Sequence, residues 1–345
     1  MMLMLLAGFF IFTASFLVTF FVAPVLIPRL KARGLVGIDM NKLEKPKIAE
    51  LGGIFVVIGF TLGVMLSIFM HTYLKLFELN LTVLLAAFAT IIIIAFIGLI
   101  DDLIGWKVGL KQWQHALFPL FAALPLMAIE ITNAPMHLPL LGQMPEIIFL
   151  PFVGGVTFGL IYSIVLVPIG ITGASNATNM LAGLNGLEAG LISLILAVLV
   201  PASFMADKYE AFVIATALLG SFLAFLRYNW FPAKIFGGDT LTLMGGAGIA
   251  SIAIIGDMEK LGVFLMSLYF VELFLKARTR FAAESFGIPQ KDGTLKAPER
   301  IGSLTHVVMR MGRFTEKQVV LVLLSMQAII CLLGLFMFAF GIFLT

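Results

Sequence analysis

The sequence predicts an all-α polytopic membrane protein of about ten transmembrane helices, and three observations carry that prediction. Hydrophobic residues fill 61% of 345 positions and charged residues only 12%. With a mean hydropathy of +1.10, this lies outside the soluble globular range. The chain also divides into apolar stretches of about 20 residues, enough to cross roughly 30 Å of hydrocarbon. They fall at about 3–28, 51–70, 80–100, 113–132, 152–171, 187–205, 210–226, 240–256, 260–277 and 317–343. Finally, 19 of the 22 Lys and Arg lie in the connections after odd-numbered spans, leaving Lys75, Lys208 and Lys260 for the other side. Basic residues resist translocation, so both termini are expected outside and the odd-numbered loops in the cytoplasm.

The first span lacks a basic leader and a small-residue cleavage site, and reads as a retained helix rather than a signal peptide. The loop at about 29–50 alternates six basic residues with Asp39, Glu44 and Glu50, a composition that anionic headgroups attract. Gly52 and Gly53 then permit close approach of a ligand or another helix. The third span runs into Asp101 and Asp102, with Lys107 and Lys111 behind, in the loop at about 101–112. Adjacent carboxylates repel and resist desolvation, so they either mark the water boundary or handle a cation or proton. Residues 137–150, too short to span and rich in Pro and Gly breaks, suggest a small external β-hairpin.

The loop at about 172–188 carries no basic residue but has Asn176, Asn179 and Asn185. Asn and Gly suit turns, and an amide oxygen also serves Mg²⁺ when phosphate oxygens and water complete an octahedron. In the loop at about 227–239, Asp239 either caps the eighth span or joins Gly237, Gly238, Gly245, Gly246 and Gly248 in presenting amides to a phosphate. Phe236 offers a face on which a nucleobase can stack. The loop at about 278–316 contributes Arg300 and His306, the former with a fork suited to phosphate oxygens. A single cysteine, Cys331, excludes an intrachain disulfide or thiolate metal site. The four histidines at 71, 115, 137 and 306 lack the i, i+4 pairing of a helical metal site. No soluble domain is evident, so residues 1–345 read as one membrane domain. Carboxylates, amides, an aromatic ring and an arginine on one membrane face describe a site for Mg²⁺ and a diphosphate compound acting on something in the lipid.

The stretches IGLIDDLIGWKVGLK, NATNMLAGLNGLEAG and RYNWFPAKIFGGDTLTLMGG resemble the polyprenyl-phosphate N-acetylhexosamine-1-phosphate transferases, in order and spacing and over the whole length. Within that family the chain looks like the dolichyl-phosphate GlcNAc-1-phosphate transferase branch. The resemblance implies transfer of GlcNAc-1-phosphate from UDP-GlcNAc to a polyprenyl or dolichyl phosphate, at the cytoplasmic face of the cell membrane. Mg²⁺ is the implied cofactor, with Mn²⁺ as a substitute. The implied roles are Asp101 and Asp102 for the lipid phosphate, Lys111 for the diphosphate, and Asn179 and Asp239 for the metal. Asn185 and Phe236 would surround the uracil, and Asp39, Asn41 and Glu50 fall in a first-loop motif. A homodimer is compatible with this reading, and no nucleic acid is expected.

One departure bears on the branch. Ala182-Gly183 stands where bacterial cell-wall members carry an acidic pattern, and His306 is alone where they have a histidine cluster; Pro298-Glu299-Arg300-Ile301 instead resembles the dolichol branch. The alternatives are a bacterial-type undecaprenyl-phosphate transferase, and a secondary transporter using Asp101 and Asp102 as coupling-ion ligands. The transporter requires broken helices at matching places in two halves, and no such repeat is visible.

Overall fold

The computed structural model describes residues 1–105, 112–129, 137–138, 142–143, 146–150 and 154–343. Among them are eight helices long and apolar enough to cross a membrane. In chain order, α1 (Met2–Ala32) leads into a hairpin of β1 (Val36–Ile38) and β2 (Lys47–Ala49), followed by α2 (Gly53–Thr72) and α3 (Leu81–Ile104). The fourth predicted span appears as two pieces, α4 (Gln112–Ala122) and α5 (Leu124–Met127). Pro125 near the start of α5 explains the break, since it lacks the N–H that would continue the ladder.

Two short antiparallel pairs follow, β3 (His137–Leu138) with β4 (Gly142–Gln143) and β5 (Ile147–Leu150) with β6 (Gly154–Thr157). The expected hairpin at 137–150 is present as β3-β4, while the second pair reaches into the predicted fifth span, which begins at 158 rather than 152. The next span is one rod built from α6 (Phe158–Ile161), a π-helical turn (Tyr162–Leu166) and α7 (Val167–Met180). It runs nine residues beyond the predicted end at 171. The polar stretch is accommodated in the helix, with Ser175, Asn176 and Thr178 bonding back to the carbonyls of Ile171, Thr172 and Ala174. Residues 181–186 are all that remains of the predicted loop.

Then come α8 (Leu187–Met205), α9 (Tyr209–Asn229) and α10 (Gly238–Ile255). The ninth predicted span is divided into α11 (Glu259–Leu265) and α12 (Ser267–Arg278). Gln327 takes the Leu265 carbonyl at the break at 2.9 Å. The last polar segment holds β7 (Ile288–Pro289), β8 (Thr294–Lys296), α13 (Leu304–Met311) and β9 (Phe314–Thr315), with the strands ordered β7-β8-β9. The closing helix is α14 (Glu316–Ala339).

Helix α10 is the axis: 89% of its apolar window is buried inside the bundle, against 28% for α1, whose side chains mostly face outward. Its glycines belong to this packing. A Cβ on Gly246 would meet the Ala174 carbonyl oxygen at 2.2 Å, so Gly246 lets α7 lie against α10. Gly245, Gly246 and Gly248 are therefore interior contact residues rather than a phosphate cradle. Gly52 and Gly53 likewise receive protein: their N–H groups donate to the carbonyls of Phe236 and Gly237 at 2.9 Å each.

Connections after the odd-numbered predicted spans gather at one end of the bundle, where Asn41 binds the backbone of Gly183 and Gly287 at 2.9 and 3.0 Å. The other end is tied separately, by Glu210 to the Asn80 amide at 2.5 Å and by an ion pair between Lys208 and Asp257.

Candidate active site

The last turn of α3 separates its two aspartates by function. Asp102 accepts from the Asp239 amide at 2.7 Å, the Thr240 amide at 3.0 Å and the Thr240 hydroxyl at 2.6 Å. It thus caps α10 from a neighbouring helix, supplying a negative charge at the N-terminus that Gly237 cannot. Two glycines make the approach possible. A Cβ on Gly98 would lie 2.6 Å from the Asp239 backbone, and one on Gly238, at φ +71°, would lie 2.4 Å from Asp102 Oδ2.

Asp101 turns to another group. Its Oδ2 lies 3.3 Å from His115 Nε2, which in turn lies 3.9 Å from Asp239 Oδ2. Oxygens of the two carboxyl groups lie within 4.8 Å of each other. Asn179 donates its Nδ2 to Asp239 Oδ2 at 3.2 Å, while its Oδ1 accepts from the Thr242 hydroxyl at 3.1 Å. Carboxylates this close favour a proton or a cation between them. The ligand atoms of Asp101, His115 and Asp239 fall within 4.8 Å of one another, a spacing that one divalent ion can span. The residues present therefore fit a metal site.

Beside this cluster lies a cavity of about 810 Å³. One wall carries His115, Asn176, Asn179 and Asp239; the other is largely apolar, with Trp113, Leu273, Phe281 and Phe286. Lys276 also lines it, held by the Ala283 carbonyl at 2.7 Å and Ser285 Oγ at 3.0 Å. A polar rim of exchangeable ligands with an apolar flank suits an amphiphile whose head group is anionic.

The other residues singled out in the sequence divide among different places. Asp39, Asn41 and Asn185 are buried in a network with Lys42 and Glu316. Lys42 pairs with Asp39 at 3.1 Å and with Glu316. Asn185 donates to Asp39 at 3.2 Å and accepts from the Ala233 amide at 2.7 Å, and its own amide reaches Glu316 at 2.8 Å. The polar atoms of Asn185 are thus engaged within the protein, bracing four loops. His306 is 1% exposed and receives the Gly302 amide on Nδ1 at 3.3 Å while Nε2 faces the Phe286 carbonyl at 3.0 Å. Burial lowers its pKa, favouring the neutral ring.

Arg300 is exposed, with its guanidinium on the Arg278 carbonyl at 2.9 Å. Phe236 is half-buried between β2 and α2, its amide bonded to the Ala49 carbonyl at 2.8 Å. Glu50 lies close by against Gly37, and its carboxyl is pushed above the ordinary range by burial and then by the Asp102 charge. Asn176 bonds the His115 carbonyl at 2.9 Å, fastening α4 to α7. Lys111 lies outside the described residues. His115, Lys42, Glu316 and Lys276 were not selected from the sequence. His115 carried no local signal, because its partners come from α3 and α10 rather than from one turn away.

A bundle of membrane-crossing helices, with a metal-competent cluster set beside a cavity at one end, defines an integral membrane enzyme. The model of glycosyl transferase family 4 matches residues 83–257. A Saccharolobus solfataricus protein is 37% identical over 93% of both chains and is provisionally named a UDP-N-acetylglucosamine–dolichyl-phosphate N-acetylglucosaminephosphotransferase. The Dictyostelium discoideum protein of that name is 26% identical over 95% of this chain and 87% of its own. A phospho-N-acetylmuramoyl-pentapeptide-transferase from Halalkalibacterium halodurans is 28% identical over 75% of this chain and 78% of its own. The chain belongs to glycosyl transferase family 4.

Proposed function

We propose that this protein transfers GlcNAc-1-phosphate from UDP-GlcNAc to dolichyl phosphate or a related polyprenyl phosphate, at the cytoplasmic face of the cell membrane. The observation that carries this reading is the convergence of Asp101, Asn179 and Asp239, from three separate segments, on one cluster beside the cavity. The names of the archaeal and Dictyostelium relatives support the donor and acceptor. The excess of Lys and Arg on the odd-numbered loops supports the face.

In the reaction an oxygen of the lipid phosphate attacks the phosphorus that bears the sugar. The bond from that phosphorus to the bridging oxygen breaks, and UMP leaves. Asp239, Asn179 and Asp101 would hold Mg²⁺, or Mn²⁺ in its place, which when bound supplies a Lewis acid to the diphosphate oxygens. Both oxygens of Asp102 are committed to the start of α10, so its part is to position Asp239 and Thr240. Phe236 and Lys111 are assigned to the uracil and the diphosphate on the resemblance of their sequence segments.

The test uses the full chain in lipid nanodiscs with UDP-GlcNAc, Mg²⁺ and either dolichyl or undecaprenyl phosphate. Release of UMP with formation of the lipid diphosphate sugar is expected, faster with dolichyl phosphate. Turnover only with undecaprenyl phosphate would reassign the chain to the bacterial-type reaction, and no turnover with either would remove the proposal.

A further inference from the structure

His115 is the member of the cluster that an all-oxygen Mg²⁺ site does not explain. We propose that His115 is a direct nitrogen ligand of the cation, joining the two carboxylates and the Asn179 amide in a set that binds Mn²⁺ ahead of Mg²⁺. This deepens the function proposed above and rests on its placing a cation at Asp239.

The geometry is that of a shared ion rather than a single hydrogen bond. An octahedral ion with bonds near 2.0–2.1 Å separates adjacent ligand atoms by about 3 Å and opposite ones by about 4.2 Å. His115 Nε2 stands 3.3 Å from Asp101 Oδ2 and 3.9 Å from Asp239 Oδ2, so it addresses both carboxylates.

The backbone holds it there independently: Asn176 Nδ2 reaches from α7 to the His115 carbonyl at 2.9 Å, and bonds the Thr172 carbonyl in its own helix at 2.9 Å. His115 Nδ1 is buried without a hydrogen-bond partner among the described residues, so the recorded polar contacts of the ring are those of Nε2. Mg²⁺ prefers oxygen throughout, whereas N/O sites bind the first-row divalent ions in a series that begins with Mn²⁺. Replacing one oxygen by nitrogen therefore moves preference toward Mn²⁺.

The probe is Mn²⁺ alone, added to the full chain in nanodiscs and read by electron spin echo modulation. The wild type is expected to show a directly bound nitrogen, and the pattern should change to that of ¹⁵N when the protein is grown on ¹⁵N-histidine, a measurement that needs no variant. His115→Gln should abolish the signal and weaken Mn²⁺ about tenfold or more, while Mg²⁺ measured by competition changes less than about threefold. His71→Gln, at a ring whose Nδ1 faces the Phe77 carbonyl at 2.9 Å, should keep the signal. Bound Mn²⁺ without a nitrogen signal, or a signal that survives His115→Gln, overturns the assignment of His115 and leaves the cation site standing. Absence of Mn²⁺ binding, or binding unchanged in Asp239→Asn, sinks the cation site itself.

Discussion

Around Asp39 and Glu316, the protein gathers two carboxylates and gives them Lys42, with Asn185 completing their hydrogen bonds. Around Asp101 and Asp239, at the same end of the bundle, it again gathers two carboxylates, and the partners are His115 and Asn179. The first cluster is sealed by a cation built into the chain, and its parts come from loops that must be kept together. The second cluster has its polar atoms beside a cavity and its partners are groups that can be exchanged for a ligand. Buried charge with a covalent counterion is a brace, and buried charge with exchangeable partners is available for chemistry.

Exchanging a residue in each cluster is the strongest way to break this distinction. Asp239→Asn keeps the shape and removes a charged ligand, so kcat is expected to fall by about two to three decades. The unfolding midpoint should hold or rise, because repulsion between neighbouring carboxylates is relieved. Activity assayed beside thermal unfolding in the same nanodiscs checks both. A stability loss as large as the activity loss would make the Asp101 and Asp239 cluster a second brace.

Lys42→Met should do the reverse. It leaves Asp39 and Glu316 buried without their cation and is expected to cost about 3 kcal/mol, at the low end for a buried pair because Lys42 is partly exposed. Glu316→Gln added to it should restore part of the loss, and the double-mutant cycle isolates the coupling. An unfolding midpoint unchanged in Lys42→Met would remove the brace.

The same contrast explains which parts were legible in sequence. Apolar lengths and the Lys and Arg bias revealed the bundle, because hydrocarbon thickness and translocation act on composition directly. They missed the end at 171, where α7 continues with Ser175, Asn176 and Thr178 bonded back to its own carbonyls, and the break within 260–277, where Gln327 binds the Leu265 carbonyl. Asp101, Asn179 and Asp239 were identified as site residues by polarity in an apolar setting and by resemblance, and the structure brings them together. What sequence could not separate was Asp101 from Asp102, or a ligand-binding amide from a bracing one. Those distinctions depend on which neighbour each oxygen meets, and Asp102 meets the start of α10 from 137 residues away.

Glu50 offers the smallest effect and the finest test of where the border between the clusters runs. It joins the first loop to α2, and its carboxyl is raised from 4.5 by burial first and by the negative charge of Asp102 second. A raised folded-state pKa means that the folded protein holds the proton more tightly than the unfolded chain. The stabilisation that this represents is complete below the unfolded value and is lost as pH rises through the folded one. Glu50→Gln cannot ionise, so it should leave the unfolding midpoint unchanged near pH 4 and raise it by about 1–3 °C near pH 8. Asp102→Asn should narrow that difference by removing the weaker of the two causes, although it also costs α10 the two Thr240 bonds to Oδ2. If Glu50→Gln instead lowers the midpoint at pH 8, the ionised carboxylate is held by a partner and Glu50 belongs with Asp39 and Glu316. A rise in stability at pH 8 accompanied by lost activity would place it with Asp101 and Asp239, as a strained charge kept for chemistry.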